Sequence, residues 1–173
     1  CGSTLSTGGT RTFTTGCATL TGRWPSKQYG MLGSSVTYGN YAYTGNGFFL
    51  SVLDISPPSS PYVVREKVLT GSSLDENEMV VADGYLYVPQ WSNLTVYSLS
   101  DPSNPTEVAR LPVGTGRTGS MELVGNLLYA AAWTSGMMIF DVTTPSMPTL
   151  LGSLPSPLVD GNPDMGKDVT VYA

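Results

Sequence analysis

The chain has 173 residues, 40% of them apolar but only 12% charged, and carries a net charge of −5. Eight basic residues are scattered without a cluster, which argues against nucleic acid as a partner. The absence of His removes Ser-His-Asp and Cys-His relays, His-ligated zinc and His-held haem. No apolar run approaches the roughly 18 residues needed to cross a bilayer, so no transmembrane segment is expected.

Residues 1–33 come first. The stretch "STLSTGGTRTFTT" (3–15) is rich in Thr and Ser and reads as an O-glycosylated stem, a linker, or an edge strand with polar faces. Cys1 and Cys17 are the only cysteines. Joined, they close a loop of about 15 residues, worth about 3 kcal/mol in the chain-entropy model. A disulfide is expected because the pair is even and the low-charge, hydroxyl-rich composition suits a secreted protein. The competing readings are two separate thiols, or a Cys1 lipidated as in a mature lipoprotein.

From residue 34 the chain repeats. "SVLDISPPSSPYVV" (51–64), "TVYSLSDPSNPTEV" (95–108) and "MIFDVTTPSMPTLL" (138–151) share a two-proline corner about 43 residues apart. Pro58, Pro102 and Pro145 are equivalent, as are Pro61, Pro105 and Pro148. Upstream of each corner, the pairs Gly39-Asn40, Asp83-Gly84 and Gly125-Asn126 separate two short apolar runs, a pattern that suits tight hairpins. Further upstream lie strand starts at "SSVTY", "EMVVA" and "SMELV". Each repeat therefore reads strand, turn, strand, loop, strand, corner, strand. In the second repeat the strands are expected at about 79–82, 85–89, 94–99 and 106–111. No segment shows a 3.6-residue apolar period, so almost no helix is expected.

Proline fixes φ and lacks an N–H, so the corner ends strand three and re-aims the chain into strand four. Four short antiparallel strands per repeat is the size of a propeller blade. One such sheet cannot hide both apolar faces, but stacked sheets can. The expected fold is all-β: a propeller-like array of four-stranded blades, about four in number or part of a larger propeller. Its repeats span 34–77, 78–120 and 121–163. "DVTVYA" (168–173) reads as the first strand of a fourth blade, to which residues 1–33 would contribute an incomplete remainder.

The combination "GNYAY…LSVLDISPPSSP", "DGYLY…LTVYSLSDPSNP" and "GNLLY…MMIFDVTTPSMP" resembles the LVIVD-type repeat. That pattern is a Gly-Asn/Asp-Tyr-x-Tyr strand followed by Leu-x-Ile-x-Asp-Val-Ser-x-Pro-x-x-Pro. Asp54 and Asp141 match its Asp; Ser98 departs from it. The resemblance covers about residues 34–155 and the strand at 168. It implies a β-propeller of secreted or surface proteins in bacteria and archaea, and no defined reaction.

Asp54 and Asp141 are expected to accept backbone N–H groups of the turns that follow them, not to act as catalytic carboxylates. Trp91 and Trp133 occupy equivalent positions after Tyr87 and Tyr129, where the first repeat has Gly47. Packed between blades they are structural; exposed on one rim they make stacking platforms for sugars or a partner protein. "VDGNPDMGKD" (159–168) sets Asp160, Asn162, Asp164 and Asp168 at positions 1, 3, 5 and 9, a spacing that can wrap Ca²⁺. It lacks Gly at position 6 and Glu at position 12, and an ordinary Asn-Pro turn is the competing reading. Asp75, Glu76 and Glu78 read as a solvated connection. Asn93 opens an N-glycosylation sequon, "NLT".

Together these features point to a non-enzymatic extracellular or cell-surface module for protein or carbohydrate interaction or adhesion. Its partners would be other surface proteins, glycans or copies of itself. The alternative is a structural subunit of an extracellular filament or surface assembly joined by strand pairing between chains. A carboxylate-based enzyme is the weakest reading, since no acid pair is recognisable. No cofactor is implied beyond the calcium reading.

Overall fold

The computed structural model describes residues 4–6, 12–14, 32–70, 78–114, 117–159, 161–163 and 168–172. Every helix or strand element among them is a strand. β1 (Thr4–Ser6) and β2 (Thr12–Thr14) pair with each other. Three four-stranded antiparallel sheets follow. Blade A contains β3 (Leu32–Tyr38), β4 (Tyr41–Asn46), β5 (Phe49–Asp54) and β6 (Tyr62–Val68). Blade B contains β7 (Val80–Ala82), β8 (Tyr85–Pro89), β9 (Asn93–Ser98) and β10 (Thr106–Pro112). Blade C contains β11 (Met121–Val124), β12 (Leu127–Ala131), β13 (Met137–Asp141) and β14 (Thr149–Leu154). A small hairpin of β15 (Leu158–Val159) and β16 (Asn162–Pro163) comes after blade C.

Within each blade the strands lie side by side in chain order, so each blade is a meander. The first turn is set by residues that accept positive φ. In blade B both Asp83 (φ 49°) and Gly84 (φ 77°) are left-handed, as a type I′ hairpin requires. In blades A and C only the leading glycine is left-handed, Gly39 at 59° and Gly125 at 57°, which fits a type II′ turn.

The corner is built the same way three times. Asp54 Oδ1 accepts the Ser56 N–H at 2.8 Å, and Asp141 Oδ1 accepts the Thr143 N–H at 2.8 Å. The expected role of both carboxylates is thus what the structure shows. In blade B Ser98 Oγ takes the same place, accepting the Ser100 N–H at 3.3 Å. A β-turn follows, closed by Ser60 to Pro57 at 2.9 Å, Asn104 to Asp101 at 3.0 Å and Met147 to Thr144 at 2.8 Å. Pro58, Pro102 and Pro145 each stand at the second turn position, where their fixed φ is already correct.

Strand four then carries one extra residue in every blade. The register of β6 on β5 jumps between Val63 and Arg65, that of β10 on β9 between Glu107 and Ala109, and that of β14 on β13 between Leu150 and Gly152. The bulged residues Val64, Val108 and Leu151 are equivalent. Val64 and Val108 pack against the apolar layer between their own blade and the next.

Those layers are the core. Between blades A and B, Tyr43, Leu50, Val52 and Leu69 meet Met79, Leu86, Val88, Tyr97 and Leu99. Between blades B and C, Tyr87, Leu94, Val96 and Val113 meet Met121, Leu128, Ala130, Phe140 and Val142. Blade B, which lies between the two layers, turns one alternate set of side chains toward blade C and the other toward blade A, as the two-residue strand period dictates. Polar clasps add to the apolar contact. Tyr43 Oη donates to the Pro102 carbonyl at 2.8 Å, and Arg65 Nε donates to the Ser103 carbonyl at 3.3 Å, so blade A grips the corner of blade B.

Residues 168–172 lie against blade C. The Val169 N–H donates to Ser120 Oγ at 2.7 Å and the Val171 N–H to Glu122 Oε2 at 2.5 Å. At the A–B junction the Met79 N–H donates to Ser34 Oγ at 2.9 Å. Ser34 and Ser120 are equivalent, and so are Met79 and Val169. The terminal segment therefore takes up against blade C the position that the start of β7 takes against blade A, without itself forming a strand. Among the described residues it joins no ladder, with β1 and β2 or with any other strand.

Candidate interaction rim

A meander places alternate connections at opposite ends. The tight turns and proline corners form one rim. The loops between strands two and three, with the blade-to-blade connections, form the other. The candidate residues Trp91, Asn93, Trp133, Asn162 and Asp168 all belong to this second rim. Cys1, Cys17, Asp75, Glu76, Asp160 and Asp164 lie outside the described residues.

Trp91 follows β8 and Trp133 follows β12. Arg117, from the connection between blades B and C, bridges them. Its Cζ lies 5.8 Å from the Trp91 ring centroid and 5.2 Å from that of Trp133. Both distances are within cation–π range, where each contact is worth about 0.5–1 kcal/mol at a partly exposed site. Trp91 is 48% exposed, while Trp133 and Arg117 are half-buried. The three side chains form a strip across the B–C seam with an accessible aromatic at one end.

The backbone under Trp133 is unusual. It sits at φ 37°, a left-handed conformation that disfavours bulky residues. Blade A meets the same demand with Gly47 at 61°. Holding a Trp there costs about 1–3 kcal/mol, and strain of this kind concentrates at binding sites. The loop is supported from below: Ser156 Oγ donates to the Trp133 carbonyl at 3.0 Å, and the Gly136 N–H to the same carbonyl at 3.2 Å. Gly136 itself has φ 83°, and a Cβ there would collide with the Leu154 carbonyl oxygen, so only glycine fits.

Beneath Trp91 a polar cluster fixes the blade B end. Gln90 is fully buried. Its Oε1 accepts from Thr95 Oγ1 at 3.1 Å and from an Arg110 NH group at 3.1 Å, and its backbone carbonyl accepts from Thr118 Oγ1 at 3.4 Å. The same guanidinium forks onto Glu107 at 3.0 and 2.9 Å and reaches the Thr70 hydroxyl at 2.7 Å. Arg110 thus ties the A–B connection to the loop that carries Trp91. The Gln90 Nε2 is buried without a partner among the described residues.

The other candidates are less gathered. Asn93 begins β9 opposite Pro112, half-buried, with its Nδ2 turned to Ser92 Oγ at 3.3 Å. Asn162 pairs with Val159 across the β15–β16 turn, and Asp168 is exposed beside an apolar recess. Among the described residues no three carboxylates or thiols stand close enough to hold a metal ion. Glu78 is exposed. The corner carboxylates on the opposite rim are committed to their own turns. Hydrogen bonds from Ser56 to Asp54, from Ser103 to Asp101 and from Thr143 to Asp141 hold each below the usual carboxylate range.

Arg117 and Gln90 were not apparent as site residues in the sequence. The signal for Arg117 is a single cation in a Gly/Thr linker, "GTGRTGS", between two tryptophans at equivalent repeat positions.

No curated protein matches this chain. The family model described as the LVIVD repeat matches three times, at residues 32–70, 76–112 and 115–155, each span covering one four-stranded sheet. With well over half its length so matched, the chain belongs to the LVIVD repeat family, and its three sheets are blades of a propeller-type array.

Proposed function

We propose that the chain is a non-enzymatic, extracellular or cell-surface propeller module that holds a carbohydrate or a partner protein on the Trp91–Arg117–Trp133 strip. The observation that carries this reading is the guanidinium bridging two equivalent tryptophans on one rim, with Trp133 kept in a backbone conformation that blade A gives to glycine. An aromatic face offers stacking to a sugar ring or an apolar side chain, and the guanidinium beside it offers directional donors. The low-charge, hydroxyl-rich composition supports an external location. The absence of His and the use of Asp54, Asp101 and Asp141 as turn acceptors support a role without catalysis. The reading calls on no cofactor.

The test is a glycan panel and a panel of surface proteins probed with the wild-type chain, Trp91→Ala and Trp133→Ala. Tryptophan fluorescence serves as the second readout, since two of the three tryptophans are in the strip. A ligand retained by wild type and weakened at least about tenfold by Trp91→Ala supports the assignment. A ligand whose affinity neither substitution changes refutes it.

A second reading is favoured by a different observation. Residues 168–172 are held against blade C by two bonds to the side chains of Ser120 and Glu122 but have no ladder partner among the described residues, which suits a structural subunit joined by strand pairing between chains. Polymerisation of the purified chain, abolished by deleting 168–173 without unfolding it, would favour that reading over the first.

A further inference from the structure

A cavity of about 430 Å³ opens in the A–B seam of the corner rim, opposite the tryptophan strip. The hairpin tip of blade B borders it with Asp83 and Gly84, and the entry to the blade B corner borders it with Ser98, Ser100 and Pro102. Tyr38, the last residue of β3, reaches across from blade A: its hydroxyl oxygen lies 3.7 Å from the place a Gly84 Cβ would take. The walls are fixed by the fold. Tyr43 Oη donates to the Pro102 carbonyl at 2.8 Å, and the Leu99 N–H donates to the Gly84 carbonyl at 2.8 Å. The repeat shows that the fold does not need these side chains. At the B–C seam the equivalents of Tyr38 and Asp83 are Ala82 and Gly125. Blades A and C open their corners with Asp54 and Asp141, whose carboxylates accept the Ser56 and Thr143 N–H groups. Blade B has Ser98 there and carries a carboxylate on its hairpin instead, where Asp83 is exposed and outside any such turn bond among the described residues. A type I′ turn takes Asn or Gly at that place as readily as Asp, so the turn does not require the charge.

We propose that this cavity binds an alkylammonium group, a primary amine on a short apolar stem. Asp83 supplies the negative charge, and among the described residues no Lys or Arg lines the cavity to cancel it. Ser98 and Ser100 supply hydroxyl oxygens for the ammonium N–H groups; Ser98 Oγ accepts the Ser100 N–H at 3.3 Å and keeps a second lone pair. Tyr38, 37% exposed, supplies an aromatic face for the cation, and Leu99 and Pro102 supply apolar surface for the stem. An anion would meet Asp83 with nothing to neutralise either charge. Because the site is open to water, the ion pair and the cation–π contact are each worth a factor of about two to five in affinity, so the expected property is selectivity for the cation with modest strength. The amine comes either from a free small molecule or from the lysine side chain of a partner protein, which present the same group.

The test titrates butylammonium chloride into the chain at fixed ionic strength and follows backbone amide shifts by NMR. N-acetyl-lysine amide, sodium acetate and neutral butanol are the parallel arms. The expected result is saturable shifts centred on Gly84, Leu99 and Ser100 with the two ammonium compounds and not with acetate or butanol. Asp83→Asn should weaken binding about two- to fivefold with an unchanged melting temperature, since Asn suits the turn. Tyr38→Ala, which installs the residue blade B carries at that place, should weaken it by a similar factor, and the two together by about tenfold. Tighter binding of the lysine derivative than of butylammonium supports the proposal with a partner lysine as the source; the reverse supports it with a free amine. Butanol binding as well as butylammonium would overturn it. So would an Asp83→Asn chain that binds the amine like wild type, or shifts scattered over the surface carboxylates with no centre at the A–B seam. Trp91→Ala should leave amine binding intact, so failure here and failure of the tryptophan strip are read separately.

Discussion

Equivalent leucines in different surroundings test the stacked-blade arrangement directly. Leu86 and Leu128 occupy the same place in β8 and β12, one in each inter-blade layer, and both are fully buried. Replacing either by Ala removes three carbons, about 2–3 kcal/mol of transfer free energy, with a cavity contribution that brings the total to about 3–4 kcal/mol. Leu151 keeps less than half of its surface covered, so the same substitution there should cost about 1 kcal/mol or less. Guanidinium unfolding compares midpoints. Hydrogen exchange locates the damage, because in a stacked array each interface contributes its own coupling and the blades need not unfold together. Leu86→Ala should raise exchange in blades A and B first, Leu128→Ala in blades B and C. A Leu151→Ala effect equal to that of Leu86→Ala would refute the reasoning. So would exchange rising uniformly across all three blades for both core variants.

Four other outcomes follow. Burial pushes the Tyr43, Tyr87 and Tyr97 hydroxyls up from 10 to about 12, so their stabilisation is complete below pH 10 and lost as pH rises from 10 towards 12. Each contributes at most about 3 kcal/mol, and the tyrosinate absorbance that appears only above about pH 11 should shrink in Tyr43→Phe, Tyr87→Phe and Tyr97→Phe; high-pH absorbance that none of the three changes would contradict this. The carboxyls of Asp54, Asp101 and Asp141 are lowered by their turn hydrogen bonds, so their contribution is present above about pH 4 and disappears as pH falls through their folded values; combined Asp→Ala replacement should flatten the acid limb of Tm against pH. Arg110→Met should lower stability by about 1–3 kcal/mol and loosen the Trp91 loop, read as faster exchange at Trp91 and Asn93, because it strips donors from Gln90 and Thr70. Gly136→Ala should be worse than Gly39→Ala in melting temperature, since both are left-handed but only Gly136 meets a backbone oxygen.

The repeat and its strands were legible because each depends on local chemistry. In blade B the expected 85–89 matches Tyr85–Pro89, and the expected 94–99 and 106–111 fall within one residue of Asn93–Ser98 and Thr106–Pro112. Turn glycines, paired prolines and β-branched runs act within a few residues, so a single chain displays them. The bulge at Val64, Val108 and Leu151 was not legible. It is a relation between two strands, and "YVVREKV" reads equally well without it. Arg117 escaped for the same reason, since its two tryptophans come from different blades. Trp133 was identified by alignment, but its left-handed backbone was hidden by the side chain, which argues against that conformation. The alternation of Val169 and Val171 copies Met79 and Val81 of blade B and Met121 and Leu123 in β11, whereas blade A has Ser35 and Thr37 at those positions.

The two rims carry different obligations, and that division says where function can vary. On the corner rim almost every polar group is engaged by the fold. The Asp carboxylates or Ser98 close the entry to each corner, prolines fix the turn, and Tyr43 and Arg65 lock one corner to the blade before it. A substitution there disturbs strand three, strand four and the neighbouring sheet together. On the opposite rim the loop after strand two grows from blade A to blade C, passing from the Gly47-Phe48 turn through the three residues from Gln90 to Ser92 to the five residues from Ala132 to Gly136. These loops hang from ladders that are already complete, so their length and side chains can change without altering a blade. Neighbouring first strands are bridged by a serine hydroxyl at two of three junctions and by the Gly119 carbonyl, 3.4 Å from the Glu78 N–H, at the third. That spacing holds the variable loops side by side, and it is why residues from two blades and the connection between them can converge on one strip.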